Sequence, residues 1–352
     1  MIKAVKYLSP VVVYVLAFFA FTFTGWVTAI ALLYAWILLP VAELILPADS
    51  KNLEEAETEI AKADKTYDYL LYLFVVLQYA AVIYFLFSMK NIGQLHTWEI
   101  AARIGTMGLL CGTFGINIGH ELGHRVNILE QRLASAALLT SLYMHFKIEH
   151  NKGHHFRVAT PDDPASARYN EPVYLFYFRT IIFSYLSAWQ IANSEMKKKG
   201  LPVFHLKNSM IQVHLIQLLY VSCIAFVFGW DITLYYLTAA LIGIILLETV
   251  NYIEHYGLQR RKTAADRYER AMHEHSWNSN HILGRIMLFE LSRHSDHHFK
   301  ASRKYQLLQH HDNSPQLPTG YPGSMILSLI PPAWFYVMNR RIKNISKQQK
   351  AD

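Results

Sequence analysis

The chain has 352 residues, of which 53% are hydrophobic and only 17% charged, and its formal net charge is +7. This composition excludes a disordered chain and an ordinary soluble enzyme, because globular proteins average about 25% charged residues. The apolar residues come in long uncharged blocks. The positive charge is then typical of the cytoplasmic side of a membrane protein, and we expect no nucleic-acid partner.

Uncharged stretches predict six membrane-spanning helices in chain order, since a span needs about 20 apolar residues. Residues 7–42 carry no charge at all, which is long enough for a helical hairpin with a turn at 22–25. A signal peptide is the alternative for the first of these helices, but no clear cleavage site follows it. The predicted spans are 7–24, 26–46, 69–89, 98–118, 210–230 and 232–250.

The distribution of Lys and Arg predicts the orientation of these spans. Of the 33 Lys and Arg residues, only Lys90 and Arg103 fall outside the segments that six spans would leave on one side of the membrane. The positive-inside rule makes that side cytoplasmic, together with both termini and segments 119–209 and 251–352. Apolar stretches within these segments predict interfacial or packed helices at 133–146, 173–192 and 324–337. The sequence therefore predicts an all-α polytopic membrane protein, a single domain over 1–352, with a cytoplasmic helical cap.

Histidine is the unusual residue of this sequence, with 18 in the chain. Nine of them form four clusters in the predicted cytoplasmic segments: HELGH from His120, EHNKGHH from Glu149, NYIEHYG from Asn251 and HSDHH from His294. Residues i and i+4 share one face of a helix, so two histidines at that spacing can bind one metal ion. The pairs with this spacing are His120 and His124, His150 and His154, and His294 and His298. Adjacent histidines point about 100° apart and can serve two different ions.

The ligand types narrow the choice of metal without deciding it. The two cysteines, Cys111 and Cys223, lie in apolar blocks and not in a cluster, which excludes cysteine-type structural zinc and iron–sulfur centres. Nine imidazoles are too many for one ion and suit two, and imidazole binds Zn, Cu, Fe and Ni. Four histidines outside the clusters are predicted to be hydrogen-bonded packing residues: His96, His145, His205 and His214. The adjacent pair His310-His311 is predicted to lie in a solvated loop.

Two other functions compete for the same histidines. The HELGH segment matches H-E-x-x-H, the signature of zinc metalloproteases, in which Glu121 would be the general base. A protease of that kind would leave at least six of the nine clustered histidines unused. A metal transporter is the other alternative, but its ligands should lie near the middle of the membrane rather than at the ends of spans.

Six segments of this sequence resemble the integral-membrane alkane monooxygenases, which belong to the wider membrane desaturase and hydroxylase group. They are NIGHELGHR (117–125), IEHNKGHHFRVATPDDPASAR (148–168), NYIEHYGL (251–258), HSWNSNH (275–281), LSRHSDHH (291–298) and QLPTGYPG (316–323). The resemblance covers roughly residues 7–340. Departures from the usual family residues occur at Arg125, Ser292 and Phe299, and none of them removes a ligand.

The resemblance implies a non-haem site of two Fe ions and hydroxylation of the terminal methyl of medium-chain n-alkanes to 1-alkanols. It also implies a bacterial inner-membrane location, O2 as oxidant, and electrons from rubredoxin and its rubredoxin reductase. A fused rubredoxin would need four cysteines, so the donor is expected to be a separate protein. Hydroxylation of another apolar methyl, such as that of an alkylbenzene, is the alternative. The implied metal ligands are His120, His124, His150, His154, His155, His255, His294, His297 and His298.

Carboxylates beside these ligands are expected to orient the imidazole rings and to offset the charge of the ions. A simple salt bridge is the alternative for each of them. The candidates are Glu121, Glu149, Glu254 and Asp296. Asp162, Asp163 and Arg168 are instead expected to stabilise the loop after the second cluster.

An alkane offers no polar group, so its recognition requires an apolar tunnel. Trp36, Trp26 and Phe23 are candidate lining residues, with plain packing as the alternative for each. The resemblance indicates a bulky residue in the second span that limits chain length, and Trp36 is the nearest match. Basic residues near the clusters are expected to attract an acidic electron donor. These are Arg260, Arg261, Lys262, Arg293 and Arg303.

Overall fold

The computed structural model describes residues 3–90 and 92–351, with side chains as far as Ile345. Within those residues the regular structure is helical, and β-type pairing is limited to isolated bridges. The prediction of an all-α membrane protein is confirmed. The α-helices are α1 Val11–Thr22, α2 Ile30–Leu33, α3 Leu39–Ile45, α4 Glu55–Ala63, α5 Thr66–Ser88, α6 Thr97–Leu110, α7 Asn117–Gly123, α8 Ile128–Leu139, α9 Phe146–Glu149, α10 His155–Arg157, α11 Val173–Lys198, α12 Ser209–Phe228, α13 Trp230–His255, α14 Ile282–Met287, α15 His294–Phe299, α16 Tyr321–Ser328 and α17 Pro331–Ala351.

The chain divides into two compact units, each built from several separate stretches of sequence. The first unit comprises residues up to 34 together with 66–153 and 184–247, and the second comprises 35–65, 154–183 and the chain from 248 on. That the whole chain acts as the single domain expected from the sequence stays a prediction.

Five helical stretches are long and apolar enough to cross a membrane, within the residues that are described. They are Val5–Thr22, Gly25–Ile45, Thr66–Ser88, Ser209–Phe228 and Trp230–His255. The predicted span 98–118 is not among them. Its α-helix α6 has only 14 residues and then passes into a π-helix, Cys111–Ile116, before α7 begins.

The π-helix Tyr34–Leu38 interrupts the second of these stretches and has Trp36 at its centre. The cause is local, because Pro40 has no N–H to give the carbonyl four residues before it, which belongs to Trp36. A widened turn re-pairs the backbone around that missing donor. Pro40 therefore accounts for the irregularity in this span, in which the Trp36 side chain is half-buried.

Glycine allows two helical segments of the first unit to approach closely. A Cβ atom on Gly243, in α13, would lie 2.6 Å from Cys111 Cβ, and one on Gly112 would lie 3.0 Å from the carbonyl oxygen of Gly243. Small residues at such crossings are typical of membrane helices, whose association depends on tight packing. This crossing joins the start of the π-helix Cys111–Ile116 to α13.

Arg103 is a buried charge that closes the ends of two spans in the first unit. Its guanidinium donates to the carbonyls of Ala20, Ser88 and Phe23 at 3.2, 3.0 and 3.0 Å. The last carbonyls of a helix have no partner within the helix and carry partial negative charge. A guanidinium with several donors can satisfy them together, so this position suits Arg rather than Lys.

Replacement of Arg103 by methionine is expected to destabilise the protein by about 1.5–3 kcal/mol, because three carbonyls at the ends of spans lose a charged donor. The measurement is the thermal unfolding midpoint in detergent. Arg132→Met is the control, since Arg132 is exposed on α8. Equal midpoints for the two variants would contradict the role given to Arg103.

Candidate metal centre

Three histidines of the first unit face one another at the end of α7 and the start of the π-helix His150–His154. The ring centroids of His120 and His124 are 4.9 Å apart. The ring centroid of His150 lies 4.5 Å from that of His120 and 5.2 Å from that of His124. Their possible ligand atoms lie within 4.8 Å of one another. Phe146 stacks on the His150 ring, at 4.7 Å between centroids, and covers it. We call these three residues the triad.

Side-chain amides fix the chain around the triad. The carbonyl of Gly123, at the end of α7, accepts hydrogen bonds from the side-chain amides of Asn151 and Gln131, both at 2.8 Å. These donors replace the helix partners that the last carbonyls of α7 lack. They therefore hold the backbone of His124, the next residue, against the segment that carries His150.

Glu121 lies between the first two triad histidines in sequence, but its carboxylate binds Arg125. The Arg125 guanidinium is 2.5 Å from Glu121 and 3.4 Å from Asp68, and all three side chains are buried. This is the salt bridge expected as the alternative for Glu121. As the base of a protease, Glu121 would need to face a water bound to the metal. The third residue grouped with His120 and His124 is His150 and not Glu121.

Four histidines of the second unit form a buried set that we call the tetrad: His154, His255, His294 and His298. The Nε2 atom of His298 is 3.2 Å from that of His154 and 2.9 Å from that of His294. The Nε2 atoms of His294 and His255 are 3.1 Å apart. None of the four side chains belongs to a residue more than 7% exposed.

The tetrad fits a metal ion. A first-row ion bound to imidazole at about 2.1 Å places neighbouring nitrogens roughly 3.0–3.4 Å apart at bond angles of 90–109°. The three N–N distances, 2.9 to 3.2 Å, lie close to that range. Two facing imidazole nitrogens share at most one proton, so a chain of three such contacts brings lone pairs together unless a cation lies between them.

A carboxylate fixes the tautomer of one tetrad histidine. Asp163 Oδ2 is 2.9 Å from His154 Nδ1 and also accepts a hydrogen bond from Ser166 Oγ at 2.6 Å. Burial works to raise the pKa of Asp163, but His154 and Ser166 outweigh it and hold that pKa below its ordinary value. The proton on Nδ1 leaves the Nε2 lone pair of His154 for a metal. The sequence assigned Asp163 only to the loop and missed this role.

The two remaining predicted ligands, His155 and His297, face each other in the second unit. Their Nε2 atoms are 3.1 Å apart. Burial, and next the charge of His154, lower the pKa of His297 to about 3, so its imidazole is neutral at physiological pH. Burial and the neighbouring histidines lower the pKa of His298 well below its ordinary value. Neutral imidazole is the form that binds a metal.

His150 and His154 do not share a group of histidines. The spacing of four residues predicts that His150 and His154 share an ion. In the structure they are the first and last residues of a π-helix and not part of an α-helix. His150 belongs to the triad and His154 to the tetrad. The adjacent residues His154 and His155 also take different partners.

Asp296 lies between tetrad ligands in sequence but contacts other groups. Its fully buried carboxylate binds Arg303, lies 3.1 Å from His311 Nε2 and 3.5 Å from His273 Nε2, and accepts the backbone N–H of Gln309 at 2.9 Å. His273, Asp296 and His311 are close enough to hold an ion. The guanidinium on the same carboxylate already supplies its counter-charge, so this cluster anchors the ligand helix α15.

The histidines outside the clusters were predicted to be packing or solvated-loop residues, and the structure confirms this in part. His214 is a hydrogen-bonded packing residue, 2.9 Å from Tyr185 Oη and 2.6 Å from the carbonyl of Met210. His205 accepts the backbone N–H of Lys207 at 3.0 Å. The solvated-loop interpretation is wrong for His311, which binds Asp296, and for His310, whose Nδ1 lies 3.1 Å from Asn280 Nδ2. Sequence spacing does not reveal contacts of this range.

Comparison with known proteins identifies the family of this chain. A family model described as fatty acid desaturase matches residues 95–325. Alkane 1-monooxygenase 2 of Pseudomonas aeruginosa is 38% identical over 310 residues, which cover 87% of this chain and 81% of that protein. The chain belongs to the fatty acid desaturase family, among its alkane 1-monooxygenases. Alkane 1-monooxygenase 1 of the same organism is 43% identical over 249 residues, which cover 70% of this chain and 65% of that protein.

The resemblance to the alkane monooxygenases is therefore confirmed. Membership of this family accounts for all the clustered histidines, whereas a zinc protease would leave at least six of them without a role. A more distant relative is the xylene/toluene monooxygenase hydroxylase component of Pseudomonas putida. It is 26% identical over 239 residues, which cover 67% of this chain and 63% of that protein. The triad and the tetrad are histidine groups that could each hold a metal ion, as expected for a relative of the alkane monooxygenases.

Replacement of Asp163 by asparagine is expected to weaken metal binding about 10–100-fold, because His154 loses the partner that fixes its tautomer. Asp162→Asn is a matched control, since that neighbouring side chain is exposed. The measurement is the metal retained per chain during titration with a chelator. Equal retention in the two variants would show that the His154–Asp163 contact does not support the site.

Proposed function

We propose that this protein is a membrane di-iron monooxygenase that converts medium-chain n-alkanes to 1-alkanols. The observation that carries the proposal is the tetrad, four buried imidazoles whose Nε2 atoms converge. The curated relatives named alkane 1-monooxygenase supply the substrate class. The overall reaction balances as alkane, O2, two electrons and two protons giving alkanol and water.

The ligands divide into sets that suit two iron ions. The tetrad supplies four nitrogens to one ion, and the triad supplies three to the other. His155 and His297 are the remaining candidates to complete the coordination. When bound, the irons supply the redox chemistry that activates O2. The residues of this chain keep the imidazoles neutral, fix their orientation, as Asp163 does for His154, and exclude water from the tetrad.

We propose that a separate protein, a rubredoxin served by rubredoxin reductase, supplies the electrons. A rubredoxin-type iron takes four cysteines, and the two of this sequence lie apart, with Cys111 buried beside Thr140 and Cys223 exposed on α12. Arg261 and Lys262 are exposed and suit an acidic partner. Arg293 does not, because it is buried and donates to the carbonyls of Leu308 and Lys51.

We place the protein in the bacterial inner membrane, with both termini and the histidine clusters on the cytoplasmic side. The support is the asymmetry of basic residues, of which only Lys90 and Arg103 fall outside the segments assigned to that side. Arg103 bonds to the ends of α1 and α5, which agrees with a position near the opposite surface.

The substrate is proposed to enter from the lipid along the spans. The first unit has an apolar groove of about 310 Å³ between α1 and α5, lined by Phe18, Phe21, Leu77 and Tyr84 among others. Trp26 is 78% exposed and packs on Trp98, which favours an outer-surface role over a tunnel-lining one. Trp36 remains the proposed limit on chain length.

Purified protein is expected to hold about two irons per chain, and His255→Ala to lose one of them together with hydroxylation. The reason is that His255 supplies one of four converging nitrogens. Elemental analysis and alkanol yield are the measurements, with His205→Ala as the control. Full activity and unchanged iron in His255→Ala would remove this residue from the site, and one zinc with no iron in the wild type would favour the protease.

Trp36→Ser is expected to raise the ratio of C16 to C8 alkane oxidation. Each buried CH2 contributes about 0.8 kcal/mol, so affinity grows with chain length until a bulky side chain blocks the next methylene. The comparison uses matched protein and iron levels. Oxidation of an alkylbenzene in preference to every n-alkane would favour the alternative substrate class, and an unchanged ratio would exclude Trp36 as the limit.

A further inference from the structure

Glu254 carries a buried carboxylate that has two polar neighbours. Its Oε1 atom accepts a hydrogen bond from Tyr321 Oη at 2.7 Å, and its Oε2 atom is 3.2 Å from His294 Nε2. The residue is 1% exposed. In the part of the chain with described side chains, no Lys or Arg forms an ion pair with it. A carboxylate in such a position stays ionised only if a cation lies nearby, and it otherwise takes up a proton.

The position of Oε2 indicates which cation this is. The distance from Oε2 to His294 Nε2 matches the 2.9–3.2 Å that separates the tetrad nitrogens from one another. Four neutral imidazoles leave the full charge of an ion uncompensated, and a carboxylate at its edge offsets one unit of it. Glu254 precedes the ligand His255 at the end of α13, so the same helix end brings both to the tetrad.

The turn that carries Tyr321 is fixed from another element of the second unit. Tyr321 is 1% exposed and is the first residue of α16, directly after Gly320. A Cβ atom on Gly320 would lie only 1.9 Å from Glu43 Oε2, so the carboxylate occupies the space of a side chain there. Glu43 Oε1 accepts the backbone N–H of Gly284 at 2.7 Å. Glu43 thus ties α3 to the starts of α14 and α16.

We propose that Glu254 is an anionic oxygen donor to the ion held by the tetrad, and that Tyr321 is the positioning residue that holds the carboxylate against it. The inference rests on the proposed di-iron function. It adds an acid to a ligand set otherwise made of histidines, and it assigns a purpose to the tyrosine of the QLPTGYPG segment. Glu43 and Gly320 act one step further out, by fixing the turn.

The experiment compares Glu254→Gln and Tyr321→Phe with matched controls. Glu248→Gln removes another buried acid of α13, which binds Thr180 and Asn251 instead. Tyr252→Phe removes another buried hydroxyl, which donates to the carbonyl of Glu171. The readouts are iron retained during chelator titration and the Mössbauer spectrum of protein loaded with ⁵⁷Fe.

Glu254→Gln is expected to weaken binding of one of the two irons about 10–100-fold and to change the spectrum of that iron alone. Tyr321→Phe keeps the carboxylate, so we expect a smaller loss of affinity and a spectral change at the same iron. If Glu254→Gln matches Glu248→Gln in both readouts, the carboxylate is not a donor. If Tyr321→Phe matches Tyr252→Phe, Tyr321 does not position it. Wild-type protein without iron would instead overturn the proposed function itself.

Discussion

Imidazole lone pairs converge in the buried interior of the second unit, and this arrangement is stable only if the lone pairs find a partner. The tetrad brings four Nε2 atoms to within hydrogen-bonding distance of their neighbours, in residues at most 7% exposed. An unsatisfied buried polar group costs about 1–3 kcal/mol, and several in contact would repel one another. A bound cation would accept these lone pairs and so remove the repulsion between them. The buried carboxylates of Asp163 and Glu254 would then stabilise the positive charge of that cation.

The backbone delivers these side chains at points where regular helix ends or changes. His255 is the last residue of α13, and His294 is the first of α15. His150 and His154 are the first and last residues of one π-helix, and they belong to different histidine groups. Helix ends place side chains from segments far apart in sequence at one point, and their free carbonyls are bonded by side chains such as Asn151. The site is therefore built by the same interactions that close the helices.

Sequence pattern predicted the class of fold, the histidine clusters and the family, because hydropathy and i,i+4 spacing are local properties. It could not predict that Pro40 widens the turn around Trp36 or that the second cluster forms a π-helix, since both depend on how the chain re-pairs its hydrogen bonds. Contacts between distant segments were equally invisible. Asp163 was assigned to a loop, His311 to solvent and Arg293 to a docking surface, but all three are bonded inside the second unit.

Alkane hydroxylation by the iron-loaded site can be measured in a single turnover with n-octane and ¹⁸O2, with a chemical reductant supplying the electrons. We expect 1-octanol that carries one ¹⁸O atom, in an amount no greater than one per pair of irons bound, and none from protein stripped of iron. Unlabelled octanol, or equal yields with and without iron, would contradict it.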